Sequence, residues 1–411
     1  YLQGFSNDEE QFRALMDAGV AFGHQYHLVP GVALTAEQMA HLTSDIVWLV
    51  QQEIPLKDGT TQRVLVPQVY AKVKPGDLDA SGALLTGNEI VLDLKQDLTN
   101  SGRISGRDVT QITAESLTNT GFIGGRNVAL EARTDINNLG GTLQGNDSLS
   151  LMAGRDINSV TTTQGDAANR WVDRPAAIFV QSDSGDLSLQ ALNNITLTGS
   201  QVSNAGADSR TRIAAGNDLT LDTVSTARTE YGNWGKGNSR LLEQSSDVGS
   251  QINGGGDVVL QAGHDLNARA ASVTARDDLI VEAGNNVTLT SGESSSHLEE
   301  HSRQSTSGML SKKTNVTHDE IWQTTAQGSL LSGDNVTVQA GNDLLIHGSS
   351  VAGEGDIALQ AGHDVTIEAA THTRADYHME KTRKSGVFGS GSGVGVTVGS
   401  QSTKTTRQGT E

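Results

Sequence analysis

The chain contains no cysteine in 411 residues. That excludes a disulfide framework and any zinc site built on thiolates, and it suits passage through an oxidising compartment. Aromatic residues are scarce at 4%, and there are only 5 prolines against 47 glycines. So few large side chains and so many turn residues suit short strands around a narrow core. Helix-rich domains draw more heavily on Leu, Ala, Glu and Lys. Basic residues are also in deficit: 29 Lys and Arg face 48 Asp and Glu, a net charge of −19. Such a surface repels phosphate backbones, so a nucleic-acid partner is not expected. No apolar run approaches the roughly 18 residues of a membrane-spanning helix, and no secretory signal opens the chain. It starts on Tyr1 as though inside a longer protein.

What is present is a repeat. The phrase Gly, polar residue, Asp or Asn, aliphatic residue recurs at Gly106, Gly125, Gly154, Gly216, Gly263, Gly284, Gly341 and Gly362. Aliphatic residues come in pairs eight apart: Ile90 and Leu98, Val109 and Leu117, Val128 and Ile136, Leu149 and Ile157, Leu187 and Ile195. The series continues with Val258 and Leu266, Leu279 and Val287, Val336 and Leu344, and Ile357 and Val365. Successive pairs lie 19 to 21 residues apart wherever nothing intervenes. Each half-repeat alternates apolar and polar residues, as in residues 287–290, so one face points inward. The Gly-Asn and Gly-Asp pairs are expected to supply positive φ and side-chain turn bonds. One repeat cannot bury its apolar face, but stacked repeats bury a continuous core. The expected fold is all-β: a right-handed parallel β-helix of ~20-residue coils. At about 4.8 Å per coil, ten coils span roughly 50 Å.

These phrases resemble the haemagglutinin repeats of the filamentous haemagglutinin family, large exoproteins exported by two-partner secretion. The blocks starting at Gln261 and Gln360 (Gln-Ala-Gly-His-Asp) carry the likeness, as do Leu-Thr-Asn-Ser-Gly at 98–102 and Leu-Thr-Asn-Thr-Gly at 117–121. Residues 42–50 and 64–70 resemble the segment that leads into the second repeat region of contact-dependent growth inhibition proteins. The resemblance implies a secreted, cell-surface stalk lying between a receptor-binding part and a C-terminal toxin. It also implies an outer-membrane transporter as export partner for the parent, and a target-cell outer membrane or surface receptor as delivery partner. A monomer is expected, with no cofactor. The family's pretoxin motif Val-Glu-Asn-Asn does not occur.

Three parts are expected. Residues 1–87 form an α+β cap or hinge. They hold a helix over 8–22, a second helix from Thr35 with Gln38 completing a capping box, and a hairpin turn at Asp58-Gly59. Met39, Leu42, Ile46 and Leu49 fall on one face of that second helix. Strands follow at 64–66 and 69–73, with Pro67 at an edge or kink. Residues 88–370 form the solenoid, interrupted at 159–182, 227–252 and 292–330. Residues 371–411 form a Gly/Ser/Val-rich hairpin that stops within a repeat.

The last two interruptions share a design. Ser307-Gly308-Met309-Leu310 begins 20 residues after Val287, and Ser385-Gly386-Val387-Phe388 begins 20 after Val365. A charged run precedes each, so these eight residues are the candidate interaction tips of hairpins leaving one corner. Residues 386–399 alternate small residues with Val, which suits a flexible Gly/Ser hairpin or, over Val387 to Val398, a strand entering a membrane.

Other motifs have plain readings. His264 and His363 sit where other repeats carry Arg or Asn, as polar turn residues. His297 and His301 lack the Glu of a zinc-protease helix and read as exposed loop. Residues 253–261 resemble a calcium nonapeptide but do not recur every nine residues. Asn146, Asn194, Asn286, Asn315 and Asn335 head Asn-x-Ser/Thr triplets that the repeat itself generates. No catalytic elbow or phosphate loop is present. A non-catalytic stalk is therefore expected. An adhesin module for host glycan or protein and a β-helical polysaccharide-degrading enzyme stand as alternatives.

Overall fold

The structure, a computed structural model, describes residues 7–26, 28–34, 38–39, 42, 44–55, 61–70, 83–309, 311–389 and 396–410. The chain divides into two units, Tyr1–Gly82 and Ala83–Glu411.

In the first unit, helix α1 (Asp8–Gln25) is capped by Asn7, whose side chain accepts the Glu10 N–H at 2.8 Å. Leu15 and Phe22 face the core. Gly23 is needed for close approach, because a Cβ there would lie 2.6 Å from the Trp48 ring. The expected second helix does not run through Ile46 and Leu49: Ile46–Pro55 is a strand. Ile46, Trp48 and Val50 alternate into the core, and β-branched and aromatic side chains favour that pleat over a helix. Thr35 lies outside the described residues, and Gln38 and Met39 are helical. A second strand, Thr61–Tyr70, pairs antiparallel with the first and runs unbroken through Pro67, opposite Leu49. Both Asp58-Gly59 and residues 71–73 lie outside the described residues.

The second unit is the expected parallel β-helix. A typical coil has three strands, such as Gln251–Gly254, Asp257–Ala262 and Leu266–Arg269. Equivalent strands of successive coils pair in parallel and build three faces. On the first face Leu149, Leu187, Thr211, Val258, Leu279, Val336 and Ile357 stack in register. On the second, Leu98, Leu117, Ile136, Ile157, Ile195, Leu219, Leu266, Val287, Leu344 and Val365 stack. The third face stacks Leu143, Ile178, Val202, Ile252, Val273, Leu331 and Val351. These stacks form one continuous apolar core.

Two expectations are corrected. The first-face partner of Ile90 and Val128 is Thr110, fully buried, and not Val109, which is half-buried. The Thr110 hydroxyl accepts the Gly106 N–H and donates to the Gly124 carbonyl, both at 2.8 Å, so burial costs it no hydrogen bond. The repeat glycines do not adopt positive φ; they are small because coils approach closely there. A Cβ on Gly263 would sit 2.0 Å from the Gly216 carbonyl oxygen, and one on Gly341 1.9 Å from that of Gly284.

The polar phrase after each glycine has its own stack. The Oδ1 of Asp156 accepts the Asn194 N–H at 3.0 Å and the Asn193 side chain at 2.8 Å. Asn194 accepts in the same way from Asp218 and Asn217, and Asp265 from Asn286 and Asn285. The residue before each Asp or Asn therefore supplies a side-chain N–H to the coil below, which is why Arg155, Asn193, Asn217, His264, Asn285, Asn342 and His363 interchange. A second, buried ladder runs Asn100, Asn119, Asn138, Ser159, Ser200 along the opposite edge of the second face.

Candidate functional site

The interruptions leave from one edge, between the second and third faces. Four antiparallel hairpins stand there. Hairpin I pairs Thr162–Gly165 with Arg170–Arg174, and hairpin II pairs the outer part of Leu219–Gly235 with Asn238–Gly249. Hairpin III pairs Gly292–Ser307 with Ser311–Gln327, and hairpin IV pairs Thr373–Gly389 with Val396–Thr410.

Their order follows a rule that the sequence did not announce. Second-face strands starting at Ile157, Leu219, Val287 and Val365 each lead into a hairpin, while those at Ile195, Leu266 and Leu344 turn straight onto the third face. Those direct corners carry the left-handed residues Gly199, Ala270 and Gly348, with φ of 56°, 46° and 55°. Hairpins thus occupy alternate coils. Two coils advance about 9.6 Å, and a two-stranded hairpin is about 9.6 Å wide. The match lets neighbouring hairpins hydrogen-bond edge to edge. Hairpins II and III join from Ser239–His301 through Ser246–Ser294, and III and IV from Ser311–Gly386 through Thr324–Thr373. Hairpin I joins II through the single strand pairing Arg170–Ala227, and beside it Thr229 donates its N–H to Asn169 and its hydroxyl to the Ala168 carbonyl. The result is a single antiparallel sheet along the solenoid edge, and His297 and His301 lie on one of its strands, not in a loop.

The candidate tips come together. Ser307 pairs with Lys312, the Gly308 N–H donates to the Ser311 carbonyl at 2.8 Å, and Met309 is 96% exposed at the turn; Leu310 lies outside the described residues. Ser385, Gly386, Val387 and Phe388 lie within a strand and not at a turn. Ser385 sits opposite Lys312 on one side and Ser400 on the other. Val387, Phe388 and Gly389 pair with Val398, Thr397 and Val396, and residues 390–395 lie outside the described residues.

Charge is sharply segregated here. Residues 303–316 and 381–410 hold eight cations (Arg303, Lys312, Lys313, Lys381, Arg383, Lys384, Lys404, Arg407) and no Asp or Glu, in a chain of net charge −19. Arg303, Val316, Lys381 and Lys404 occupy one row across four strands. Lys381 lies directly opposite Lys404, and Lys313 opposite Lys384. Like charges opposite one another are unfavourable. At the tip of hairpin II, Tyr231 and Trp234 are exposed at 66% and 70%.

Carboxylate and imidazole groups also gather at two solenoid corners, Asp218/His264/Asp265 and Asp343/His363/Asp364. Both belong to the Asp/Asn ladder, so their oxygens are engaged by backbone N–H groups. Asp343 is held below the usual carboxylate range, first by the Asp364 N–H and then by His363. The His363 imidazole is raised above its ordinary value, mainly by its hydrogen bond to Asp343.

Comparison with known proteins agrees with this architecture. Haemagglutinin repeat families match residues 68–140, 125–170 and 180–222, and residues 235–320 and 310–411. The 16S rRNA endonuclease CdiA of Enterobacter cloacae is 33% identical over 97% of the chain, and the tRNA nuclease CdiA of an Escherichia coli strain 31% over 98%. The deoxyribonuclease CdiA of Dickeya dadantii is 29% identical over 99%. The chain spans 14% of the length of each of these relatives. No solved structure matches it. Repeat, fold and relatives together place the chain in the filamentous haemagglutinin family, as a haemagglutinin-repeat region of the CdiA kind.

Proposed function

We propose that this chain is a non-catalytic stalk and delivery segment of a large secreted exoprotein, and that its hairpin sheet engages the target-cell outer membrane while a toxin carried elsewhere in the parent is delivered. Three relatives are named for three different nucleases, yet each aligns along this whole region. A segment common to all three is better suited to carriage than to any one chemistry. The solenoid's Asp residues support a non-enzymatic reading, because those of the ladder are occupied in holding coil to coil. On this reading the parent is exported by an outer-membrane two-partner secretion transporter and displayed at the cell surface.

The observation that carries the membrane reading is the distal edge of the sheet. Eight cations, none in an ion pair among the described residues, share the outer parts of the hairpins with exposed Met309, Tyr231, Trp234 and Val398. Cations with Trp and Tyr suit the anionic, half-apolar boundary of a membrane. An anionic surface would also relieve the Lys381–Lys404 and Lys313–Lys384 repulsions. The test is flotation of the purified chain with vesicles containing lipopolysaccharide, and toxin entry by the parent. Lys381→Glu with Lys404→Glu is expected to abolish flotation and to block entry while export stays normal. Unchanged flotation and entry in that variant would sink the proposal.

A second reading, an adhesin for host glycan, draws on the groove where hairpins I, II and III meet. There Trp171 is 54% exposed beside Arg170, Gln244, Ser245, Ser295 and Gln323, and an aromatic plate among hydroxyls and amides suits a sugar ring. Glycan-array binding lost in Trp171→Ala would favour it.

A further inference from the structure

Midway along hairpin III, four ionisable side chains form a square on one face of the sheet. His301 lies directly opposite His318, and Glu299 directly opposite Glu320. Residues two apart on a strand share a face, so all four project together. Glu299 Oε1 is 2.8 Å from His301 Nε2 and 3.2 Å from His318 Nε2, and Glu320 Oε1 is 2.6 Å from His318 Nε2. The two imidazoles stack with centroids 4.1 Å apart, and Tyr377 from hairpin IV closes one side, its ring 5.4 Å from that of His318.

The square is poorly explained by hydrogen bonding alone. His318 Nε2 is buried and makes no hydrogen bond, although two carboxylate oxygens lie close to it. Two carboxylates directly opposite each other repel, and with neutral imidazoles they leave a local charge of about −2 that a divalent cation would cancel. Glu299, His301 and His318 each bring one ligand atom within 4.8 Å of the others, and Glu320 joins them through its contact with His318, so the donors are imidazole nitrogens and carboxylate oxygens. Nitrogen donors turn away calcium and magnesium, which take oxygen shells, and suit zinc and its first-row neighbours. Metal–ligand bonds of about 2.0–2.2 Å need donors roughly 3.3–3.5 Å apart. The observed spacings of 2.6, 2.8 and 3.2 Å are shorter than that, the shortest by most of an ångström, so the side chains have to move outward to admit an ion.

We infer that Glu299, His301, His318 and Glu320 form a binding site for a divalent transition ion of the zinc type, which would clasp the two strands of hairpin III at mid-length. The two corner clusters differ in kind, since their Asp oxygens already accept backbone N–H groups. They serve as internal controls.

The test is equilibrium dialysis of the tag-free, chelator-treated 411-residue chain against zinc, with magnesium as competitor. The expected result is one zinc per chain, undisturbed by magnesium. Glu299→Gln and His318→Gln should each weaken binding by more than about tenfold, while His363→Gln should not. Binding that survives in the His301→Gln/His318→Gln double variant, or that disappears in His363→Gln, would overturn the assignment. Should the variants fail to fold by circular dichroism, the unaltered chain still decides it. Cobalt(II) bound in the square gives the intense visible bands of a four-coordinate nitrogen–oxygen site, and the pale spectrum of hexa-aqua cobalt would refute it.

Discussion

Inserting one coil should break the hairpin sheet without harming the solenoid. A copy of residues 251–271, which hold three strands and a corner but no hairpin, placed after Ala271 keeps every parallel stack in register. It moves hairpin III one coil further from hairpin II, from about 9.6 Å to about 14.4 Å. A gap one strand wide opens, and the seam from Ser239–His301 to Ser246–Ser294 is lost. Eight residue positions in antiparallel pairing supply about eight hydrogen bonds. At ~0.5–1.5 kcal/mol net each, opening that seam as a unit costs at least about 4 kcal/mol, roughly three orders of magnitude in amide protection. Hydrogen–deuterium exchange read by mass spectrometry gives the answer segment by segment. In 239–246 and 294–301 the amides that point across the seam should exchange quickly, and those bonded within each hairpin should stay protected. The same copy inserted after Gly121, ahead of every hairpin, should leave the seam slow. Unchanged protection after the first insertion would show that hairpin spacing does not depend on coil count, and the reasoning from matched widths would fail.

Further outcomes follow from the core and the corners. Thr110→Val and Thr211→Val are the same change with opposite signs. The first strands a buried N–H and a buried carbonyl and should destabilise by about 2–4 kcal/mol. The second removes a buried hydroxyl with no partner and should stabilise by about 1 kcal/mol; urea midpoints of the two variants decide. Asn119→Ala cuts the buried ladder between Asn100 and Asn138 and should cost about 3 kcal/mol, seen as faster exchange confined to coils around 98–142. The His363–Asp343 contact stabilises only while the ring is charged and the carboxylate ionised. Because the folded His363 pKa is raised, its contribution is full below the unfolded imidazole pKa and fades as pH rises through the folded one. Asp343, being depressed, gives its share above the unfolded carboxylate pKa and loses it as pH falls through the folded one. An NMR titration should place the His363 midpoint above that of a free imidazole, and Asp343→Asn should lower it part of the way, since Asp364 still faces the ring.

Much of the solenoid was legible because its signal is local and periodic. Pairs eight apart mark the first and second faces, and the corner glycines keep their phase. The legibility failed where chemistry replaced hydrophobicity. Thr110 and Thr211 hold core positions on hydroxyl-bearing side chains, so an apolar spacing rule lands on Val109 beside Thr110 and skips the pair Thr211 and Leu219. A third-face strand such as Ser272–Ala275 sends only Val273 into the core, and a lone aliphatic residue offers no alternation to read. In the first unit, Leu42, Ile46 and Leu49 mimic a helical stripe, but Ile46, Trp48 and Val50 belong to a pleat. The hairpins announced themselves as breaks in the repeat. Their fusion into one sheet did not, since pairing between Lys312 and Ser385 spans 73 residues and leaves no trace in either segment alone. The His–Glu square was hidden for the same reason: its members alternate along two strands whose register no spacing rule supplies.

The edge-mounted sheet also changes how this rod would carry load. A bare β-helix resists bending through one slender core of hydrogen-bonded coils. Here a second ladder of hydrogen bonds, from Asn238 to Thr410, runs beside the first and offset from it. Resistance to bending grows with the square of the distance between load-bearing layers, so the sheet acts as a flange. The rod becomes stiff in the plane that contains the hairpins and more compliant across it. Coils 98–142, which precede the first hairpin, lack the flange and are the natural place for the rod to flex.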